Sequence, residues 1–429
     1  MTAYIDQELA ARGVAEVMVV VKQPPMADEA RGAAADAGPD IIQSLFKYFV
    51  SSDLSLGSAL AAAEADEPST RSSRRGRSSA PSADDVADAS QPSYYPNLGV
   101  MLGTVSQESC TALYQDPGVE SVTAALPFSL IRPTSAANAR LTSEITWGIR
   151  ALRVPELWKQ GLFGDGILVG HLDTGVDGQH PALKNAIAHF AEFNTLGREV
   201  TPTPDPFDTG QHGTHTAATI AGRPVAGKHV GVAPGAKLAS AIVIEGGNVV
   251  ARLLGGMDWA VGNNVRILNM SLGLRGFFED FLPITQILRA RNILPVFAVG
   301  NEGPGTSRSP GNYAEAVSVG AYERTGLVPN FSSSLRFARP NDPLVPDLVA
   351  PGVSVVSAWP GGRYQKLNGS SMATPHIAGL AALLMQAKPG KTIDEVEAAI
   401  YRSCRLLPTM APDRANRGVP DAVEALAQL

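Results

Sequence analysis

The chain has little cysteine and no long apolar run. Cys110 and Cys404 are its only two cysteines among 429 residues, so the sequence excludes a disulfide framework and a CxxC zinc site. The longest apolar runs, such as 17–21 and 293–299, fall far short of the roughly 20 residues that a membrane-spanning helix needs. Lys and Arg number 35 against 41 Asp and Glu, which disfavours a basic surface for nucleic acid. We therefore expect neither a membrane nor a nucleic acid as partner.

The N-terminal sequence also lacks the pattern of a secretory signal. Acidic side chains occupy the first ten residues, where a signal peptide has positive charge followed by a long apolar stretch. We expect a protein that is cytoplasmic, or that is exported without an ordinary signal peptide.

Composition divides the chain into two ordered regions. Residues 64–93 contain almost no large apolar side chain, and such a segment cannot bury enough surface to offset the entropy of ordering. We predict a disordered insert at about 51–93 within a small α+β domain over 1–131. Its predicted strands are 17–21, 98–105, 119–123 and 126–131, and its predicted helices are 41–50 and 107–115. Residues 132–146 are predicted to form a linker.

From residue 147 to 429, short apolar runs alternate with helical patterns. Strands are predicted at 167–172, 238–244, 267–270, 293–299 and 316–319, and helices at 249–261, 281–290, 371–387 and 393–403. This alternation predicts an α/β fold with a doubly wound, mostly parallel sheet. In such folds functional groups collect at the carboxyl ends of the strands.

Three segments of this second region carry side chains with catalytic chemistry. Asp173 ends an apolar strand in LDTGVD, His212 lies in GQHGTHTA before a helix of small residues, and Ser371 lies in NGSSMATPH. A serine hydroxyl is too weakly acidic to attack an amide at neutral pH unless a base removes its proton. A carboxylate can fix the tautomer of that base and stabilise the imidazolium that forms. The three residue types therefore indicate an activated nucleophile.

These segments resemble those of the subtilisin-like serine proteases, which have the chain order Asp, His, Ser. The resemblance covers roughly 147–429 and implies a serine endopeptidase acting on protein or peptide substrates. It makes Asp173 the orienting acid, His212 the general base and Ser371 the nucleophile. A fourth motif, AVGNEG, places Asn301 where the family has a side-chain donor for the oxyanion.

The same resemblance implies the substrate-binding residues. The edge segment that would align an extended peptide comprises Ser271, Leu272 and Gly273, and the pocket walls comprise Ala298, Val299 and Gly300. Arg308 aligns near the base of the primary specificity pocket. If its guanidinium points inward, acidic residues are expected before the cleaved bond, whereas the alternative is an exposed loop arginine.

The N-terminal domain resembles the propeptides of that family, small ferredoxin-like domains that assist folding and inhibit the enzyme. This resemblance implies that the domain is an intramolecular inhibitor and that the chain is a zymogen cut by itself within 132–146. The rival interpretation is a permanent accessory domain.

Two further alternatives concern the chemistry itself. The HxxH spacing of His212 and His215 allows metal ligation, but no third ligand is evident, and His215 resembles a packing residue of the family. Calcium sites of the family have no oxygen-rich counterpart at 180–182 or 223–229, so we predict no cofactor and metal-independent catalysis. A catalytically silent module that binds peptides on the same fold is the alternative function.

Overall fold

The computed structural model describes residues 3–22, 39–50, 92–244, 248–340 and 342–429. The disordered insert predicted at 51–93 therefore lies outside the described residues, apart from its last two positions. Within the described ranges, no helix has both the length and the apolar character needed to cross a bilayer.

The N-terminal domain is built on an antiparallel sheet of four strands in the order β2-β3-β1-β4. The strands are β1 (Val14–Val21), β2 (Ser93–Tyr95), β3 (Val100–Ser106) and β4 (Val119–Ala124), and the helices are α1 (Ala3–Arg12), α2 (Pro39–Phe46) and α3 (Gln107–Gln115). The run of β-branched residues in β1 favours a strand. The Ser106 hydroxyl accepts a hydrogen bond from the Ser109 N–H and so caps the start of α3.

The larger region contains a parallel sheet of seven strands, as the alternation of strands and helices predicts. The strands are β7 (Leu168–Asp173), β8 (Ile187–Glu192), β9 (Lys237–Ile242), β10 (Ile267–Met270), β12 (Leu294–Ala298), β14 (Val317–Tyr322) and β17 (Leu348–Pro351). Their order is β17-β14-β12-β10-β7-β9-β8. The chain fills one edge with β8 and β9 and the other with β10 to β17, so the carboxyl end of β7 lies where the winding reverses. Such a point is a usual position for a functional site.

Helices cover both faces of this sheet. They are α4 (Trp147–Ala151), α5 (Val154–Trp158), α6 (His212–Ala221), α7 (Val249–Gly262), α8 (Leu282–Ala290), α9 (Ser370–Ala387), α10 (Ile393–Arg402), α11 (Pro412–Ala415) and α12 (Ala422–Ala427). The apolar core on one face includes residues of α6 and α9, and the core on the other face includes residues of α7 and α8. The second core also includes side chains of the N-terminal domain such as Met18 and Leu98, so the two domains share buried apolar surface.

Two small sheets join the segment after the N-terminal domain to the larger region. In the first, β5 (Ser129–Leu130) pairs with β11 (Leu272–Arg275), which also pairs with β13 (Arg308–Ser309). In the second, β6 (Ser135–Ala139) pairs with β19 (Arg363–Asn368), which pairs with β18 (Val355–Trp359). The remaining pair is β15 (Leu335–Arg336) with β16 (Leu344–Val345).

These pairings correct two expectations. The strand predicted at 126–131 as part of the N-terminal domain is only two residues long and belongs to a sheet with β11. The predicted linker contains β6, whose sequence Ser-Ala-Ala-Asn-Ala has little intrinsic strand preference. Both strands form because the backbone of a distant edge strand supplies their hydrogen bonds. We call residues 129–139, which include both strands, the strap.

Candidate active site

Asp173 lies at the carboxyl end of β7 and is fully buried. Its carboxylate accepts a hydrogen bond from the Thr174 N–H at 2.7 Å. The Nδ1 atom of His212 lies 2.8 Å from Asp173 Oδ1 and 3.0 Å from Oδ2. Burial alone would raise the pKa of Asp173, but the charge and hydrogen bond of His212, together with His171 and the Thr174 N–H, lower it below its ordinary value. The carboxylate therefore stays ionised and holds His212 with its proton on Nδ1.

Helix α6 begins at His212, and the carboxylate of Asp208 fixes this start. It accepts hydrogen bonds from the N–H groups of Gln211 and Thr214, both at 2.7 Å. Gly213 packs directly on the backbone of the turn that follows β7. A Cβ added at Gly213 would lie 2.0 Å from the Gly175 carbonyl oxygen. The close approach therefore requires glycine and brings the imidazole against the end of β7.

Ser371 is the second residue of α9 and is fully buried. Its hydroxyl donates to the carbonyl oxygen of Ile131 in the strap at 2.7 Å. The Nε2 atom of His212 is also buried and has no hydrogen-bond partner in the described part of the chain. Helices α6 and α9, which carry His212 and Ser371, pack against each other, and the strap takes the hydrogen bond of the serine.

Asn301 follows β12 and directs its amide at the strap. Its Nδ2 group donates to the carbonyl oxygen of Arg132 at 3.0 Å. Its Oδ1 atom accepts from the Ser370 N–H at 2.8 Å and from the Ser370 hydroxyl at 2.9 Å. Because Ser370 supplies two donors, the oxygen faces α9. The NH₂ group faces the groove that the strap occupies, which we call the cleft. The amide is thus oriented as a donor to a carbonyl oxygen beside the nucleophile.

The predicted edge segment holds an extended chain. Leu272 and Gly273 lie opposite Leu130 and Ser129 in an antiparallel pair. The carbonyl oxygen of Ser271 accepts a hydrogen bond from the Ile131 N–H at 3.0 Å. This pairing is the backbone recognition by which a peptide adds a strand to an exposed sheet edge.

The predicted pocket walls lie beside the same strand. Ala298 ends β12, and Ala298, Val299 and Gly300 are all buried. Gly300 has a φ of +120°, and an added Cβ would lie 2.7 Å from the Glu302 carboxylate. This wall of the predicted pocket therefore has no room for a side chain at Gly300.

Arg308 is buried and points inward rather than into solvent. Its Nη1 group donates to the carbonyl oxygen of Gly273 and to the hydroxyl of Ser129, both at 2.9 Å. Its Nη2 group forms an ion pair with Glu302 at 2.5 Å. Burial would raise the pKa of Glu302, but the hydrogen bond and charge of Arg308 lower it, so both groups are charged. The charge of Arg308 is therefore balanced within the protein and is not offered alone to an acidic substrate.

The other histidines of the motifs have structural partners. His215 contacts the Val355 carbonyl oxygen through Nε2 at 3.1 Å, and burial lowers its pKa to about 3. His376 contacts the Met372 carbonyl oxygen through Nδ1 at 2.8 Å, and burial lowers its pKa to about 4. Both imidazoles are therefore neutral at ordinary pH, and each is held by a backbone carbonyl.

The segments where the family has calcium ligands do not fit a calcium site. His180 accepts a hydrogen bond from the Ala182 N–H through Nδ1 and contacts the Arg363 carbonyl oxygen through Nε2. Arg223 brings a positive charge to the second segment and donates to the Ala221 carbonyl oxygen. Among the residues that the structure describes, no group of three or more His, Cys, Asp or Glu side chains is arranged to hold a metal ion. Calcium needs six to eight oxygen ligands, which these segments do not offer.

Sequence reasoning missed several polar residues that support the site. Asp208, Thr216 and Glu302 were not singled out, because a lone carboxylate or hydroxyl in a loop or helix carries no local signal. His171 had a signal, since it is a polar residue in an otherwise apolar strand, two positions before Asp173. The apolar pattern around it predicts only a buried strand.

Comparison with known proteins identifies the family. A model of the subtilase family matches residues 164–422. The chain is 33% identical over 297 residues to an alkaline protease of Shouchella clausii, which covers 69% of this chain and 71% of the relative. It is 37% identical over 247 residues to Subtilisin Savinase of Lederbergia lenta, which covers 57% of this chain and 86% of that protein. The resemblance drawn from the motifs is confirmed: the chain belongs to the subtilase family and is a serine endopeptidase.

Proposed function

We propose that Ser371 is the nucleophile of this peptidase, His212 its general base and Asp173 the residue that orients the base. The Ser371 hydroxyl loses its proton to His212 Nε2 as its oxygen attacks the substrate carbonyl carbon. The tetrahedral intermediate collapses, the C–N bond breaks, and the leaving amine takes the proton from His212. Water then hydrolyses the acyl-enzyme by the same route, with His212 again receiving and returning the proton.

The observation that carries this proposal is the position of each group around one carbonyl-binding cleft. Asp173 accepts a hydrogen bond from the Nδ1–H group of His212, which leaves the buried Nε2, without a partner in the described part of the chain, as the basic atom. Asn301 directs its NH₂ group into the same cleft and would stabilise the oxyanion together with the Ser371 N–H. Ser371 also lies at the start of α9, where the helix dipole favours negative charge.

We further propose that the substrate binds as the strap binds here. On the acyl side, an extended peptide would pair with Leu272 and Gly273 and donate to the Ser271 carbonyl oxygen. Its side chains would contact the walls at 298–300 and the neutral pair of Arg308 with Glu302. Because the charges of Arg308 and Glu302 balance, we expect the unaltered enzyme to have no preference for acidic residues before the cleaved bond.

The N-terminal domain is proposed as the intramolecular inhibitor, and the chain as a zymogen. The strap crosses the cleft with its first strand on β11 and its second on β19, so both sides of the substrate channel are occupied. Ser371 donates to the strap instead of to His212. The domain itself is fixed at α7, where the Tyr95 hydroxyl donates to the Ala251 carbonyl oxygen at 3.1 Å. A permanent accessory domain would have no need to occupy the cleft.

The hydrogen bonds of the strap also explain how it can stay intact in the cleft. Ser371 contacts the carbonyl of Ile131, whereas Asn301 contacts the carbonyl of the next residue, Arg132. Catalysis needs the nucleophile and the oxyanion donor on the same carbonyl group. Neither the Ile131 carbonyl nor the Arg132 carbonyl is therefore held by both groups, as attack would require. We propose that the cut within 132–146 follows a local shift of the strap.

The intact mass of the full-length chain, followed over time, tests the zymogen proposal. Wild type should convert to two fragments with a junction within 132–146, and Ser371→Ala should keep its full mass. Labelling of Ser371 by a fluorophosphonate should be slow before conversion and fast once the N-terminal fragment has separated, because the strap holds the hydroxyl until then. A wild-type chain that labels rapidly while its mass stays unchanged would favour the accessory-domain interpretation.

The same probe addresses the catalytically silent peptide-binding module, which no comparison favours. Labelling that is lost in His212→Ala requires a functioning nucleophile and base, whereas a silent module would not react. Two expectations stay predictions. Activity should be unchanged by a calcium chelator, and the protein should be found in the cytoplasm or exported without an ordinary signal peptide.

A further inference from the structure

A second histidine lies directly behind the catalytic carboxylate. His171 is in β7, two residues before Asp173, and residues two apart in a strand face the same side of the sheet. Its side chain is fully buried, and Nε2 lies 3.8 Å from Asp173 Oδ2. Burying a polar ring is costly unless its nitrogens are hydrogen-bonded. An apolar residue would fill such a strand position at lower cost, so the contacts of the ring need an explanation.

Both ring nitrogens of His171 contact hydroxyl groups. Nδ1 lies 2.9 Å from the Ser240 hydroxyl, which belongs to the residue opposite His171 on β9. Nε2 lies 2.9 Å from the Thr216 hydroxyl, one helical turn after His212 on α6. The Thr216 hydroxyl in turn lies 3.1 Å from Asp173 Oδ2. A continuous chain of contacts therefore runs from β9 through His171 to the carboxylate that holds the base.

The direction of the hydrogen bonds in this chain depends on which ring nitrogen of His171 carries the proton. Thr216 has a single hydroxyl proton, and the carbonyl oxygens of His212 and Gly213 also lie within reach of it, at 3.3 and 3.1 Å. If Nε2 of His171 carries the ring proton, it donates to the Thr216 oxygen, whose own proton is then free to point at Asp173. Ser240 completes the arrangement by donating to Nδ1, which is the acceptor in that tautomer.

The surroundings of His171 keep it neutral. Burial lowers its pKa, and Asp173 and Asp208 only partly offset this effect, while His212 adds to it. A neutral ring can donate from Nε2 and accept at Nδ1 at the same time, whereas an imidazolium could not accept from Ser240. A ring protonated at Nε2 leaves the Thr216 proton to Asp173, whereas a ring protonated at Nδ1 would take that proton itself, so the proposal below requires the first tautomer.

We propose that His171 is a positioning residue of the peptidase reaction, which directs the hydroxyl proton of Thr216 onto Asp173 and thereby stabilises the carboxylate that orients His212. The proposal rests on the roles assigned above to Asp173 and His212. His171 touches neither substrate nor reacting atoms and acts through Thr216. Without the donor from Thr216, the carboxylate would attract the proton of imidazolium more strongly, and His212 would stay protonated to higher pH.

Two substitutions with opposite hydrogen-bonding ability test this role. Each is introduced into the full-length chain, and activity is measured after that chain has been processed. His171→Leu fills the strand position without any polar contact, and His171→Gln retains an N–H donor near Thr216. For His171→Leu we expect kcat to fall about tenfold, the cost of one hydrogen bond to a charged group. KM should stay within about twofold, and the acid limb of the pH profile should move to higher pH. His171→Gln should recover most of kcat and return the acid limb.

A purely structural role predicts a different result. His171→Leu would then melt at lower temperature but keep its kcat per labelled active site and its acid limb. The other contrary result is a loss of kcat in His171→Leu that His171→Gln does not recover. Either result would overturn the proposal. Reaction of Ser371 with the fluorophosphonate in both variants shows that the nucleophile is intact, which separates failure of this inference from failure of the proposed mechanism.

A spectroscopic measurement covers the case in which His171→Leu does not fold. In full-length Ser371→Ala with ¹⁵N-labelled histidine, the His171 signals, assigned by their loss in His171→Gln, should show a neutral ring protonated at Nε2. Thr216→Val, which keeps the side-chain volume, should reproduce the displaced acid limb. A ring protonated at Nδ1, or a Thr216→Val pH profile identical to wild type, would contradict the proposal.

Discussion

Asp173 in the active site and Glu16 at the contact between the two domains are both enclosed carboxylates, but their pKa values move in opposite directions. Asp173 is the more deeply buried of the two, and its pKa is lowered, because His212, His171 and the Thr174 N–H together outweigh the cost of burial. Burial raises the pKa of Glu16, and its hydrogen bond with Asn248 at 2.8 Å offsets this only in part. The neighbouring charge, rather than the depth of burial, decides whether each carboxylate is held ionised.

The same contrast divides two further carboxylates. Glu302 beside Arg308 has a lowered pKa although burial opposes it. Asp258 on α7 accepts hydrogen bonds from the Leu98 N–H and the Asn97 amide, but burial still raises its pKa. Glu302 thus has a guanidinium within hydrogen-bond distance, whereas Asp258 is hydrogen-bonded by neutral donors and the charge of Arg291 offsets its burial only in part.

The largest effect is expected where the charge of a cleft carboxylate is removed. Asp173→Asn keeps the shape of the side chain but presents an amide to His212, so the proton would move to Nε2 and the base would be lost. We expect kcat to fall about 10⁴-fold, as for the same change in another serine protease. Peptide hydrolysis per folded molecule measures it, with melting temperature as the control. A loss below tenfold would contradict the role of Asp173.

A smaller effect is expected at the second cleft carboxylate. Glu302→Gln leaves the guanidinium of Arg308 without its counter-charge, and Arg275 also loses a contact at 3.4 Å. Acidic side chains on the acyl side of the cleaved bond should then be favoured about fivefold, which corresponds to about 1 kcal/mol of electrostatic attraction. A peptide library compares the variant with wild type, and Glu302→Asp, which retains the charge, is the matched control. Unchanged acidic preference in Glu302→Gln would show that Arg308 does not face the substrate.

The smallest effect is expected at the domain contact. Because the pKa of Glu16 is raised in the folded chain, its protonated form contributes stability that is fully present below pH 4.5 and is lost as the pH rises through the raised value. Glu16→Gln mimics the protonated form at every pH. In the Ser371→Ala background it should raise the free energy of unfolding by about 1 kcal/mol at pH 8 and leave it unchanged below pH 4.5. Equal effects at both pH values would mean that ionisation of Glu16 does not lower the free energy of unfolding.

The motifs and the main sheet could be predicted because their signals are local. The run before Asp173 and the helix after Ser371 each contain their own hydrophobic pattern, and the predicted strands and helices of the larger region match the observed elements closely. The strap could not be predicted in the same way. Ser129–Leu130 falls within a predicted strand, but nothing local indicates its partner, and Ser135–Ala139 falls within the predicted linker; both strands pair with segments more than a hundred residues away.

Side-chain partnerships were likewise beyond the sequence. Arg308 contacts Ser129 of the strap, but nothing in the spacing indicates that Glu302 forms an ion pair with it. His171 and Thr216 are 45 residues apart and meet only because β7 and α6 pack together. Such contacts depend on packing between elements, which periodicity does not describe.

The pairing of β5 with β11 and of β6 with β19 has a consequence for the moment after cleavage. A cut between the two strands breaks one covalent bond but none of the backbone hydrogen bonds on either flank. Both new chain ends would remain seated, and the severed enzyme would still exclude a first substrate. In the proposed zymogen, opening of the cleft would therefore be a dissociation step after cleavage, which requires release of both short strand pairings and of the domain contact at α7.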